Sequence, residues 1–193
     1  MNWLLAVALG YLIGSIPFGL LLAKAAGKGD IRSIGSGNIG ATNVLRTGSK
    51  WLAAAVLLLD LGKGFAAVAL VWRWWPEAAA LGALGAVVGH CFPIWLRFKG
   101  GKGVATTAGV CFGLWWPIGV AYAVVWVALL AATRISSLGG IAAALAAPLA
   151  AAVLGRSEFA LVLVVVAALV VWLHRANLAR LRAGTEPRIG NKA

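Results

Sequence analysis

Residues 103–133 read GVATTAGVCFGLWWPIGVAYAVVWVALLAAT, 31 consecutive positions without a charge. As one helix they would extend about 46 Å at 1.5 Å per residue, whereas about 20 residues cross a bilayer core. The stretch is too long for a single crossing. Trp115, Trp116 and Pro117 near its middle divide it into two short helices joined by an interfacial turn.

The rest of the chain has the same character. Of 193 residues 62% are hydrophobic and 11% charged, with a mean hydropathy of +0.94, more apolar surface than a water-soluble domain of this size needs. Further apolar spans run over residues 2–23, 51–72, 78–96, 138–154 and 159–173. No strand alternation competes with them, so the pattern predicts an all-α, polytopic membrane bundle of about seven transmembrane helices rather than a barrel. Residues 1–193 read as a single integral-membrane domain. The first span lacks the basic leader of a secretory signal, since Lys24 and Lys28 follow rather than precede it. Pro17 predicts a kink within it, and Gly14 and Ser15 allow close helix contact.

The formal net charge is +12. In a soluble chain that would suggest nucleic acid, but here the basic residues sit in short connections beside apolar spans. With seven spans, one face collects Lys24, Lys28, Arg32, Arg46, Lys50, Arg97, Lys99, Lys102, Arg134, Arg175, Arg180, Arg182, Arg188 and Lys192, fourteen of the seventeen. The positive-inside rule then places the N-terminus outside and the C-terminus in the cytoplasm. Six spans would scatter these charges over both faces. The chain is expected in a membrane among its lipids, without nucleic acid or an obligate protein partner.

The loop over residues 32–46 is polar and glycine-rich between two apolar spans. Gly35 and Gly37 let the backbone turn tightly and approach a ligand. Ser36, Asn38 and Asn43 add neutral hydrogen-bonding groups, and Arg32 and Arg46 bracket them with charge. Amides with arginine suit phosphate, although a solvated connector has the same composition. The spacing of Gly35, Gly37 and Gly40 matches a dinucleotide fingerprint, which has meaning only between a strand and a helix. A second basic loop, Arg97 to Gly103, places Lys102 between Gly101 and Gly103 at the start of a helix, where amides and dipole favour an anion. It lacks Walker spacing.

Within the spans, Asp60 and Lys63 lie three apart on one helix face and can pair, as a structural ion pair or as part of a site. His90 reads as a packed, hydrogen-bonded histidine, with a catalytic role as the alternative. Cys91 and Cys111 show neither disulfide nor metal spacing and read as small buried hydrophobes. No metal or cofactor is expected.

Residues 35–46, the Leu59–Gly64 segment, the Gly89–Pro93 segment continuing through residues 98–106, and His174 with Arg175, Ala176, Asn177, Arg180 and Leu181 resemble the bacterial acyl-phosphate–glycerol-3-phosphate acyltransferases. The likeness extends over nearly the whole chain. It departs at Ile39, where the family usually has proline, and at Ile135 and Gly139–Gly140, which replace an aromatic residue and serines.

The resemblance implies transfer of a fatty acyl group from acyl phosphate to the 1-hydroxyl of glycerol 3-phosphate, giving lysophosphatidic acid and phosphate. It implies Ser36, Arg46, Lys102, Ser137, His174 and Asn177 as the phosphate and glycerol pocket. Arg46 and Lys102 would neutralise charge, and Ser36 and Asn177 would position substrate. Asn38 and Asn43 would shape the loop or donate a hydrogen bond, and Gly35, Gly37, Gly101 and Gly103 would let backbone approach. His174 is the best side-chain base; a substrate phosphate oxygen is the other acceptor for the hydroxyl proton. No His-x-x-x-x-Asp motif and no Ser-His-Asp order occurs, so transfer is expected to be direct. The rival reading is a small transporter of a phosphorylated solute or lipid, which would place its polar groups at mid-membrane.

Overall fold

A computed structural model describes residues 2–190; Lys192, one of the basic residues counted above, lies outside the described residues. All regular structure among the described residues is helical. Five segments are long and apolar enough to cross a membrane: Asn2–Ala25, Lys50–Trp74, Pro76–Leu96, Trp116–Thr133 and Ser136–Val153. Ser157–Leu173 with Arg175–Arg182 makes a sixth when that pair, bent by 61°, is taken as one span. The apolar helix Val104–Leu114 has 11 residues, about 16 Å at 1.5 Å per residue. The chain forms two compact units, one ending at Leu114 and one beginning at Trp115.

The first unit opens with α1 (Asn2–Gly14) and α2 (Phe18–Ala25), a single span broken before Pro17. Proline has no N–H to continue the ladder, and its ring obstructs the preceding turn. The carbonyl of Ile16 that the break exposes accepts a hydrogen bond from Lys63 Nζ at 2.7 Å. The chain then passes through a one-turn 3-10 helix at Ile31–Ser33 into the short α3 (Ala41–Leu45). Next come α4 (Lys50–Trp74), α5 (Ala79–Cys91) and α6 (Val104–Leu114). Ser49 caps α4 by accepting the Leu52 N–H at 3.3 Å.

Small residues set how these helices pack. A Cβ on Gly10 would strike Gly82, one on Gly14 would strike Ala86, and those on Gly85 and Gly89 would strike the carbonyls of Val7 and Tyr11. In lipid, where apolar burial alone does not drive helices together, this close approach supplies the packing. Contacts that rise together in number show that α1 and α5 run parallel. Gly64 against Thr106, and Gly109 against Leu61, then Gly113 against Val68, show the same for α4 and α6. α4 and α5 are antiparallel across the turn at Trp75 and Pro76. α2 and α5 therefore end at the rim where α4 and α6 begin, and that rim carries both basic loops.

The second unit stacks α7 (Trp116–Thr133), α8 (Ser136–Val153) and α9 (Ser157–Leu173) in sequence. The break expected at Trp115–Pro117 falls between α6 and α7, with Pro117 in the first turn of α7 where a missing N–H costs nothing. The segment after His174 is helical: α10 (Arg175–Arg182). The chain beyond it folds back, and Ile189 N–H donates to the Arg134 carbonyl at 2.7 Å while Arg134 Nε donates to the Ile189 carbonyl at 3.0 Å. Leu12, Leu58, Leu149, Val153 and Leu161 are exposed, as side chains facing acyl chains would be.

Replacing Gly85 by leucine should destabilise the first unit by about 3 kcal/mol through overpacking against α1. Thermal unfolding in detergent micelles checks this, with Gly62→Leu as control, since a Cβ at Gly62 meets nothing.

Candidate active site

The loop over residues 31–46 is anchored, not slack. Ile31, Ile39 and Val44 are buried in one cluster with Leu20 and Ala23 of α2 and Ala53 and Val56 of α4. Ile39, where the resembled family usually has proline, is one of its members. Asn43, 1% exposed, organises the polar side. Its Nδ2 donates to the carbonyls of Ile31 at 2.7 Å and Ile34 at 3.2 Å. Its Oδ1 accepts from the Ser36 amide at 3.0 Å, the Ser36 hydroxyl at 3.3 Å and Arg46 Nη1 at 3.3 Å.

One carboxamide oxygen thus draws the Ser36 hydroxyl and the Arg46 guanidinium together at the exposed surface. Gly35, at φ +55°, is obligatory here, because a Cβ would run into Asn43 Oδ1 and the Arg46 side chain. Gly37 also has positive φ, and Asn38 Oδ1 accepts the Gly40 N–H at 2.9 Å. Both asparagines shape the loop.

Arg32 does not act as a bracketing charge. Its guanidinium forms a fork with Asp30, with contacts of 2.6 to 3.1 Å. Hydrogen bonds from the Arg32 side chain and backbone hold the Asp30 carboxyl down to about 2, so the two charges cancel locally.

The second loop is fastened to the end of α5. Gly100 N–H donates to the Cys91 carbonyl at 3.1 Å and Gly101 N–H to the His90 carbonyl at 3.0 Å. Arg97 and Phe98 both adopt left-handed φ in the turn before it. Gly101 and Gly103 are buried and Lys102 half-buried at the mouth of α6, where a helix N-terminus favours negative charge. Tyr11 pins the preceding turn by donating to the Phe92 carbonyl at 2.8 Å and accepting from Ile94 N–H at 3.0 Å. Leu96 of that turn packs against the cluster under the first loop. Ser36 and Arg46 thus share a rim with Lys102.

In the second unit His174 sits at the bend between α9 and α10 and is buried. Its Nδ1 lies 2.8 Å from the Val170 carbonyl. A carbonyl can only accept, so Nδ1 is the donor in this contact. Ser137 and Asn177 are also buried, and both bind a residue the sequence reading passed over. Glu186 Oε1 accepts from Ser137 Oγ at 2.7 Å and Asn177 Nδ2 at 2.6 Å, and Oε2 accepts from Arg180 Nε at 2.7 Å. Burial pushes the Glu186 carboxyl up, but the hydrogen bonds from Ser137, Asn177 and Arg180 outweigh it and hold it below its ordinary value. A sequence signal existed: Glu186 is one of only five acidic residues in the chain, placed within its most basic end.

Among the described residues no group of three or more histidine, cysteine, aspartate or glutamate side chains is arranged to hold a metal.

The family model described as "Glycerol-3-phosphate acyltransferase" matches residues 4–184. A protein of that name from Erythrobacter litoralis is 63% identical over 188 residues, covering 97% of this chain and 95% of the relative. Another from Novosphingobium aromaticivorans is 64% identical over 189 residues, covering 98% and 96%. Among solved structures, the crystal structure of PlsY (YgiH), an integral membrane glycerol 3-phosphate acyltransferase in its glycerol 3-phosphate form, superposes with a TM-score of 0.92 at 36% identity. It covers 98% of this chain and 96% of that one.

A carboxyl held below its ordinary value by folding contributes stability above that value and loses it as pH falls. The hydrogen-exchange protection of the Ile189 amide should therefore hold at neutral pH and decline as pH drops through and below about 4. Glu186→Gln should lower that protection at least tenfold at neutral pH.

Proposed function

The chain belongs to the glycerol-3-phosphate acyltransferase family, and from that premise we propose acyl phosphate as the donor in its reaction. The protein is an integral-membrane acyltransferase acting on glycerol 3-phosphate, as its relatives are named and as the PlsY structures with glycerol 3-phosphate and lysophosphatidic acid are titled. Acyl phosphate suits the residues present. Its acyl carbon is already activated, and its leaving group needs charge stabilisation more than a strong acid.

In the proposed reaction the 1-hydroxyl oxygen attacks the acyl carbonyl carbon. The bond from that carbon to the phosphate oxygen breaks, and inorganic phosphate departs with the electron pair. The hydroxyl proton passes to His174 Nε2 or to a phosphate oxygen, and lysophosphatidic acid remains. Arg46 and Lys102 neutralise phosphate charge. Ser36 donates through its hydroxyl, and Gly35, Gly37 and the Asn38 and Asn43 side chains hold that hydroxyl in place. Gly101 and Gly103 let the loop around Lys102 close on the start of α6. Ser137 and Asn177 orient the glycerol or phosphate oxygens. Transfer is direct, without an acyl-enzyme: both cysteines are buried, and Ser36 has a carboxamide beside it rather than a base.

The observation that carries this reading is the convergence of Ser36 and Arg46 on Asn43, at the rim that also holds Lys102. We further propose that residues 1–193 act as one catalytic domain. Val104–Leu114 then counts as a short seventh membrane helix, the N-terminus lies outside, and the active site faces the cytoplasm of a bacterial inner membrane. Counted so, fourteen of the seventeen basic residues meet one face.

The purified protein in lipid, given acyl phosphate and glycerol 3-phosphate, should release lysophosphatidic acid. Lys102→Ala should lower kcat/KM at least 100-fold, about 2.7 kcal/mol of transition-state stabilisation, without changing the melting temperature; near-normal turnover would exclude the site. Activity should persist in EDTA, and loss restored by Mg²⁺ would contradict the mechanism.

A further inference from the structure

Directly behind the Lys102 loop lies a group of charged and polar side chains for which the reaction above has no use. Asp60 and Lys63 of α4 form an ion pair of 2.6 Å, with side chains 3% and 2% exposed. Lys63 also reaches the Ile16 carbonyl at 2.7 Å and lies over the Phe18 ring at 5.7 Å. His90 of α5 turns its Nδ1 toward Asp60 Oδ1 at 3.7 Å, within ion-pair range but beyond a hydrogen bond. All three belong to segments long and apolar enough to cross a membrane. Buried pairs are costly there, and apolar residues of the same volume would often stabilise as well or better. Fold stability alone is therefore a weak reason for charge at this place.

The other edge of the His90 ring supplies a stronger reason. A Cβ on Gly101 would land on the imidazole, with Nε2 its nearest atom. The Gly101 amide bonds the His90 carbonyl at 3.0 Å. His90 thus grips Gly101 through its main chain and supports it with its ring, and Lys102 is the next residue. On the α6 side, Gly64, adjacent to Lys63, abuts the Thr106 carbonyl. The Thr106 and Thr107 hydroxyls are buried without a hydrogen-bond partner among the described residues. The charged cluster therefore touches the loop through His90, and α4, which carries Asp60 and Lys63, touches through Gly64 the helix whose mouth holds Lys102.

We propose that Asp60, Lys63 and His90 are positioning residues for acyl transfer: the ion pair fixes the His90 ring, and the ring seats Gly101 so that Lys102 meets the substrate phosphate. This rests on the reading that Lys102 grips phosphate. None of the three touches substrate. The loop makes its contact in both the ground state and the transition state, so loss of the seat weakens binding of glycerol 3-phosphate more than it slows the chemistry.

The test is steady-state kinetics of His90→Ala and His90→Gln in lipid, with glycerol 3-phosphate varied at saturating acyl phosphate and wild type alongside. His90→Ala should raise KM for glycerol 3-phosphate at least tenfold while kcat falls less than threefold. His90→Gln, which keeps a planar polar group under Gly101, should restore KM to within threefold of wild type. A purely structural role would lower the yield of folded protein or its melting temperature and leave KM unchanged, and that result overturns the proposal. If His90→Ala does not fold, Gly101→Ala carries the test, since its Cβ forces the loop off the ring. KM must rise there too, and an unchanged KM overturns the proposal. Wild-type protein without acyl transfer would overturn the proposed reaction and this role with it; normal wild-type kinetics with an unmoved KM in the variants removes the positioning role alone.

Discussion

The ammonium of Lys63 is the interaction that ties together the supports of the first unit's two loops. A broken helix inside a membrane leaves carbonyls short of partners, and no water is at hand to make up the loss. The Ile16 carbonyl accepts the Phe18 N–H at 3.1 Å; Lys63 adds a second donor at 2.7 Å and carries a charge that Asp60 neutralises at 2.6 Å. Beyond the break, α2 provides Leu20 and Ala23 to the cluster under the Ser36 loop. Asp60 in turn faces His90, whose carbonyl and ring hold Gly101. A single buried charge is thereby linked to the supports of both basic loops.

The second unit solves a similar problem with the opposite sign. Ser137 belongs to α8 and Asn177 and Arg180 to α10, and the carboxylate of Glu186 collects a hydrogen bond from each. In a chain of net charge +12, an acidic residue at that place relieves repulsion within the basic end and closes the chain over Arg134. Both units follow one rule: a charge withdrawn from water is met by its opposite and by backbone, so the polar groups around it hold fixed positions.

The helices were legible in the sequence because their lengths, prolines and tryptophans are local signals. Pro17 breaks the first span, and Trp115 with Pro117 divides the 31-residue apolar stretch. Residues 35–46 were legible as a loop of special conformation because Gly35 and Gly37 need positive φ. What the sequence concealed was partnership at a distance. Asn43 reads as one more loop asparagine, yet it is the hub of the first loop. Arg32 reads as a free charge until Asp30 is seen to occupy it. Glu186 is 49 residues from the Ser137 it binds, and no periodicity links the two. The Asp60–Lys63 pairing was visible from its spacing, but the approach of His90 and Gly101 depends on how α4 meets α5.

The central claim is that a buried ionic group, not the apolar packing around it, keeps the Lys102 loop in order. It is tested most directly by hydrogen exchange at the Gly100 and Gly101 amides in wild type and in the double variant Asp60→Leu with Lys63→Met. That variant removes both charges together and leaves the Ile16 carbonyl its hydrogen bond from the Phe18 N–H at 3.1 Å, so the bundle should stay folded. The account predicts at least tenfold faster exchange at both amides with the melting temperature held or raised. Wild-type protection of both amides in the uncharged variant would contradict it.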